Sequence, residues 1–143
     1  MNNKTKQNTS RFYIISVLAL IWNILGVIAY LGQVYMPQEV KQALPPAEQA
    51  YYANVPSWVT GAFAIAVFAG ALGCIALLLK KKIAISLLFI SLIAVLVQFV
   101  YNTIIQTDME VTVAKLVWPV LIIAIAIFLV WFSKDSKTKG YIS

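Results

Sequence analysis

Three consecutive lysines, Lys80, Lys81 and Lys82, separate two runs that hold no charged residue, 57–79 and 83–105. At about 1.5 Å of rise per residue, each run covers the roughly 30 Å hydrocarbon core of a bilayer as a helix. A single helix passing through the triplet would leave three lysines near the bilayer centre. At about 2.5–3.5 kcal/mol each on an insertion scale, that costs on the order of 7–10 kcal/mol. The lysines therefore make a tight turn, and the two runs are antiparallel neighbours in a membrane hairpin.

Two further stretches suit the same solvent. Residues 12–34 carry no charge, and 111–132 carry only Lys115, close to the start where its stem can snorkel to the interface. At 62% hydrophobic and 11% charged, the chain is too apolar for an ordinary soluble domain. The expected fold is all-α: an integral membrane four-helix bundle with spans near 12–34, 57–79, 83–105 and 111–132. The first eleven residues resemble the n-region of a signal peptide. The apolar stretch after them is too long for an h-region and ends in no A-x-A-like site, so an uncleaved first span is expected. Between the first two spans stand Pro37, Pro45, Pro46 and Pro56. Proline breaks helices but suits their first position, which predicts short surface helices over 37–43 and 46–53 on the membrane face, with Tyr51 and Tyr52 at headgroup level. Pro119, in the fourth span, frees the carbonyl of Lys115.

Four spans put both chain ends and the lysine turn on one side. That side holds every Lys and Arg except Lys41 and Lys115, whereas Glu39, Glu48, Asp108 and Glu110 fall on the other. By the positive-inside rule both termini are cytoplasmic. Tyr35, Trp58, Tyr101 and Trp118 then mark the outer boundary, and Phe12, Tyr13, Trp131 and Phe132 the inner one. Residues 1–11 and 133–143 read as basic cytoplasmic tails, flexible and exposed. Lys80, Lys81 and Lys82 set topology and face lipid headgroups, each contributing about 1 kcal/mol near an anionic surface.

The net charge of +6 does not point to nucleic acid, because the basic residues sit beside hydrophobic runs rather than on a folded soluble face. With no His and a single Cys, the usual zinc, haem and disulfide chemistry has no ligands, and no cofactor is expected. No Asp, Glu or His lies inside a span, which removes the groups on which proton relays depend. Neither a nucleophile elbow nor a phosphate loop is present, so no enzyme is expected.

The uncharged polar residues are patterned. Ser16, Ala19, Asn23, Gly26, Tyr30 and Gln33 recur at spacings of three and four on the first span, and Ser91, Ala94, Gln98 and Tyr101 do so on the third, with Asn102 beside them. One reading makes the two stripes interhelical glue, each hydrogen bond worth about 0.6–2 kcal/mol in a membrane. The other makes them a pocket for a neutral polar solute, with Asn23, Tyr30, Gln33, Ser91, Gln98, Tyr101 and Asn102 as the lining and Trp22 as a stacking surface. Taking residues 23 and 94 as midplanes, Gln98 lies about 6 Å, Asn102 about 12 Å and Gln33 about 15 Å toward the outside, so such a pocket would open outward. A closed, dry seam would favour glue. On the second span Ala62, Ala66, Gly70 and Cys74 form an i, i+4 ridge of small side chains, suited to close helix packing either inside the bundle or against another chain.

The run Tyr51-Tyr52-Ala53-Asn54-Val55-Pro56-Ser57-Trp58, followed by Ala64-Ile65-Ala66-Val67-Phe68-Ala69-Gly70, Leu72-Gly73-Cys74, the lysine turn and Ser91-Leu92, resembles a group of small bacterial four-span proteins. Many of them carry the label of sugar transporter, and the likeness covers about residues 37–132. The resemblance implies a bacterial inner-membrane protein and offers a sugar as solute; it transfers no site residue. Two functions follow as expectations. One is an interaction or accessory component without catalytic chemistry, partnered by itself or by another membrane protein. The other is a transporter or binding protein for a small uncharged solute, acting as a dimer because four helices enclose little volume.

Overall fold

The structure, a computed structural model, describes the backbone of residues 2–143 and side chains from Asn8 onward. It is all-helical, with no strand among the described residues. The elements are α1 (Asn2–Val34), α2 (Gln38–Gln42), α3 (Pro46–Asn54), α4 (Ser57–Leu78), α5 (Ile83–Val100), a π-helical turn over Tyr101–Ile105, and α6 (Val113–Thr138). Four of these are long and apolar enough to cross a membrane, namely α1, α4, α5 with its π turn, and α6, so the chain is a multi-pass membrane protein.

The spans pack in chain order. α4 and α5 form the most extensive pair, α1 lies on α4, and α6 lies on α5. α1 and α6 are not a packed pair along their lengths; they meet at one end, where Phe12 stacks on Phe132 with ring centroids 5.8 Å apart. The centre of the row is α4 because its side chains are small. Ala62, Ala66, Gly70 and Cys74 are all buried. A Cβ on Gly70 would fall on the Asn23 carboxamide and 3.1 Å from Ser91 Oγ, so at this level α1 and α5 both approach the α4 backbone. At Gly73 a Cβ would come 2.8 Å from Leu88 Cγ. The ridge thus packs inside the bundle.

Lys80 to Lys82 close the α4–α5 hairpin by a Schellman motif. The Lys81 N–H donates to Ala76 O at 2.8 Å, and the Lys80 N–H to Leu77 O at 2.9 Å, with Lys80 left-handed at φ 57°. Lys80 Nζ lies 5.5 Å from the centroid of the Tyr13 ring.

Both expected tails differ from the expectation. α1 starts at Asn2, so the basic N-terminal segment has a helical backbone continuous with the span. No Pro or Gly interrupts it before Gly26, and Phe12, 2% exposed, anchors it. Met1 and the side chains of Lys4 and Lys6 lie outside the described residues. At the other end α6 runs on to Thr138 and stops in a second Schellman motif, Tyr141 N–H to Ser136 O and Gly140 N–H to Lys137 O, with Gly140 at φ 78°. The chain then folds back. Tyr141 packs on Phe12, Ile142 is 3% exposed, the Ser143 N–H donates to Lys80 O, and the Lys82 N–H donates to Ser143 O. Residues 139–143 are a strap across the lysine turn, because Tyr141 and Ile142 are apolar and Gly140 permits the reversal.

The strap and the start of α1 meet at the lysine turn, which gathers the basic residues at one end. The continuous core lies there too, built from Phe12 and Ala19, Cys74 and Leu77, Ala84 and Leu88, Leu129 and Phe132, and Ile142. At the opposite, acidic end the loops tie to each other through hydrogen bonds. Tyr51 Oη donates to Asn102 Oδ1 at 2.7 Å, and Asn54 Nδ2 donates to the Asp108 carboxylate at 3.2 Å. Trp58, Tyr51 and Tyr101 form an aromatic cluster between them.

Candidate functional site

Because α1 and α6 close on each other only at the basic end, the opposite half of the bundle is left as a cleft of two joined chambers. The upper chamber, of about 630 Å³, is lined by Gln33 of α1, Glu48, Tyr51 and Tyr52 of α3, Asn102 and Thr103 of the π turn, Gln106, and Lys115 with Pro119 of α6. The lower chamber, of about 400 Å³, lies between Trp22, Leu25, Gly26 and Ala29 on α1 and Ile125, Ala126 and Leu129 on α6, with Ala66, Val67, Leu88 and Ser91 behind. Phe63, Val95, Gln98, Trp118 and Ile122 line both. Each volume lies within the range of small-molecule sites, about 300–1,000 Å³.

The polar groups of the two chambers are in different states. In the lower one, Asn23 Nδ2 donates to Ala19 O at 2.9 Å and to Cys74 Sγ at 3.4 Å, and Ser91 Oγ donates to Ala66 O. Both side chains are joints between helices with their donors committed, so toward a ligand they can only accept. Gln98 is half-buried, stands where the chambers join, and its side chain makes no hydrogen bond to another described residue. In the upper chamber Gln106 is tied to the loop, donating from Nε2 to Asn102 O and Met109 O and accepting from the Met109 N–H. Burial, then the neighbouring Tyr101 and Tyr52, push the Tyr51 hydroxyl up to about 12, so it stays a donor to Asn102 at any physiological pH. Burial and then Glu48 raise Tyr52 as well. Glu48, Glu110 and Lys115 place charges of both signs around this chamber.

Of the residues singled out in the sequence, Asn23, Ser91 and Gln98 line the lower chamber and Gln33, Gln98 and Asn102 the upper. Tyr30 instead packs edge-on against Phe63 and Phe68, and Tyr101 packs against Trp58 with 5% exposure; neither lines a chamber. Lys80, Lys81 and Lys82 are exposed at the far end of the bundle.

The wall that α6 gives the cleft is not marked in the sequence, where Lys115, Trp118 and Pro119 stand out only as interface, belt and helix-breaking residues. Lys115, Trp118, Ile122, Ile125 and Leu129 recur at spacings of three and four and form its wall of the cleft. Their periodicity was legible, but with no amide among them the stripe looks like any lipid-facing side, and Trp118 like a belt residue. Among the described residues no three His, Cys, Asp or Glu side chains come together to hold a metal. Comparison with protein-family models, with curated proteins and with solved structures returns no match to this chain.

Proposed function

We propose that the protein is a bacterial inner-membrane binding protein or carrier for a small, net-neutral ligand, which enters the two-chamber cleft from the outer side, and that the chain performs no catalysis. What supports this reading most is Gln98, a half-buried carboxamide without a protein partner where the two chambers join. A carboxamide in an apolar span loses the hydrogen bonds it would make in water unless something in the cleft accepts and donates in return. The basic end is assigned to the cytoplasm by the positive-inside rule, which leaves the upper chamber facing outward.

The test is thiol accessibility in sealed, right-side-out vesicles. Cys74 is buried and serves as the silent internal control. A membrane-impermeant thiol reagent is expected to label Gln98→Cys and to leave the parent protein unmodified. A Gln98→Cys protein that is inserted but unlabelled would sink the reading.

A second reading, an accessory component that binds another membrane protein, is favoured by the outer helices. α1 and α6 flank the row, and only 11% of the apolar window of each is buried. Purification in mild detergent with mass spectrometry of the eluate tests it; a solitary monomer argues against it.

A further inference from the structure

The lining of the cleft restricts the ligand more narrowly than "neutral and small". A sugar resting in the lower chamber would find a free carboxamide only where Gln98 stands at the junction with the upper chamber; deeper in, it would meet Asn23 and Ser91 with their donors already committed, and otherwise Trp22, Leu25, Val67, Ile125 and Leu129. A hydroxyl left without a partner there loses the hydrogen bond it makes in water. The wall suits a chain of methylenes instead. At roughly 30 Å³ for a water-sized group, about 400 Å³ holds on the order of a dozen such groups, which is one hydrocarbon chain and not two. From Lys115 to Leu129 the cleft runs about 21 Å along α6, beyond the roughly 15 Å half-thickness of the hydrocarbon core. A chain could therefore stand upright in it with its head at the interface. The slot between α1 and α6 is open to the side, with Leu25, Ala29 and Ile122 exposed along it, so a molecule already in the bilayer could reach it without crossing water.

The head is described by the upper chamber. Lys115 is a cation at its rim, Glu48 and Glu110 are anions, Glu48 close enough to Tyr52 to raise its pKa, and the Tyr51 and Tyr52 rings stand edge to face at 5.3 Å. A phosphate suits the lysine, and an ammonium suits a carboxylate beside two aromatic faces. We propose that the ligand is a zwitterionic single-chain phospholipid, with its head in the upper chamber and its chain in the lower, admitted sideways between α1 and α6. This rests on the binding reading above.

The full chain carrying Val95→Cys, an apolar position that lines both chambers and leaves Gln98 in place, is reconstituted in phosphatidylglycerol vesicles and labelled with the impermeant reagent in the presence of palmitoyl-lysophosphatidylcholine, palmitate or glucose. Lysophosphatidylcholine is expected to slow labelling at least tenfold, with palmitate and glucose ineffective. Ala126→Phe and Ala29→Phe, each added to Val95→Cys, fill the lower chamber and should abolish that protection while the cysteine remains reactive. Lys115→Glu should weaken it. Protection by glucose and not by the lysolipid overturns the lipid assignment and leaves a binding cleft. Equal protection by palmitate overturns the head assignment, and protection that survives both phenylalanines overturns the placement of the chain. A Val95→Cys that never labels fails the binding reading itself.

Discussion

Ser16 and Ser91 bring the same hydroxyl into the bundle with opposite consequences. Ser91 Oγ donates to Ala66 O across the α4–α5 contact, whereas Ser16 Oγ is fully buried and has no hydrogen-bond partner. Removing Ser91's hydroxyl takes away an interhelical bond to a carbonyl that keeps its donor within α4. Removing Ser16's takes away a desolvated polar atom and leaves a better helix former. Ser91→Ala is therefore expected to destabilise by about 0.6–1.7 kcal/mol, the range for interhelical bonds in membranes. Ser16→Ala should stabilise by about 1 kcal/mol. Thermal unfolding in detergent measures both, and a Ser16→Ala protein less stable than the parent would show that the hydroxyl is satisfied. The same scale shows what sequence could not separate. Asn23 and Gln98 were equivalent as amides on facing stripes, but Asn23 folds its nitrogen back onto Ala19 and Cys74 while Gln98 reaches no partner. Spacing places an amide on a face; which atoms it bonds depends on the neighbouring backbone.

At the level of the element, α4 is the helix the others need, and its glycines are not alike. Gly70 carries the Asn23 carboxamide and Ser91 against its backbone, while Gly61 has nothing within 4 Å of where a Cβ would stand. Gly61→Ala should gain up to about 1 kcal/mol of helix propensity. Gly70→Ala must displace Asn23 from its bonds and is expected to lose about 1–3 kcal/mol by overpacking. Measured side by side, equal stabilities would mean that α1 does not approach α4 as closely as described. The four spans were legible because an uncharged run of that length has few other fates. The ends of α1 and α6 were not, because polar, charged sequence is equally compatible with a solvated helix and with a loose tail. Gly140 followed by Tyr141 and Ile142 was the overlooked signal, a left-handed position with two apolar residues behind it. Ile142→Asp would put a carboxylate at a 3% exposed position and should release the strap, at a cost of more than about 2 kcal/mol. Limited proteolysis after Lys139 reports it, with resistance equal to the parent's as the contrary result.

For the whole molecule, packing is polarised: the continuous core joins all four spans at the basic end, and the open cleft occupies the acidic end. The lysine turn therefore has two roles to separate, setting the direction of insertion and holding the packed end together. Its structural role is carried by backbone. The Schellman bonds and both strap bonds use the amides and carbonyls of Lys80, Lys81 and Lys82, and among the described residues only the contact of Lys80 with Tyr13 uses a side chain. Replacing all three lysines by glutamate thus leaves the turn's hydrogen bonds available and costs the fold little beyond that contact, about 0.5–1 kcal/mol at an exposed site. It also reverses the charge of the middle basic segment, and the positive-inside bias acts on charge near span ends. The triple variant should fold in detergent nearly as stably as the parent yet insert a smaller fraction of chains in the parent orientation. A cysteine at Gln42, the exposed last residue of α2, reads that fraction by its labelling with an impermeant reagent in intact cells. Unchanged labelling would mean that the basic residues of α1 and of the α6 end suffice to orient the chain, and that the turn acts only through its backbone.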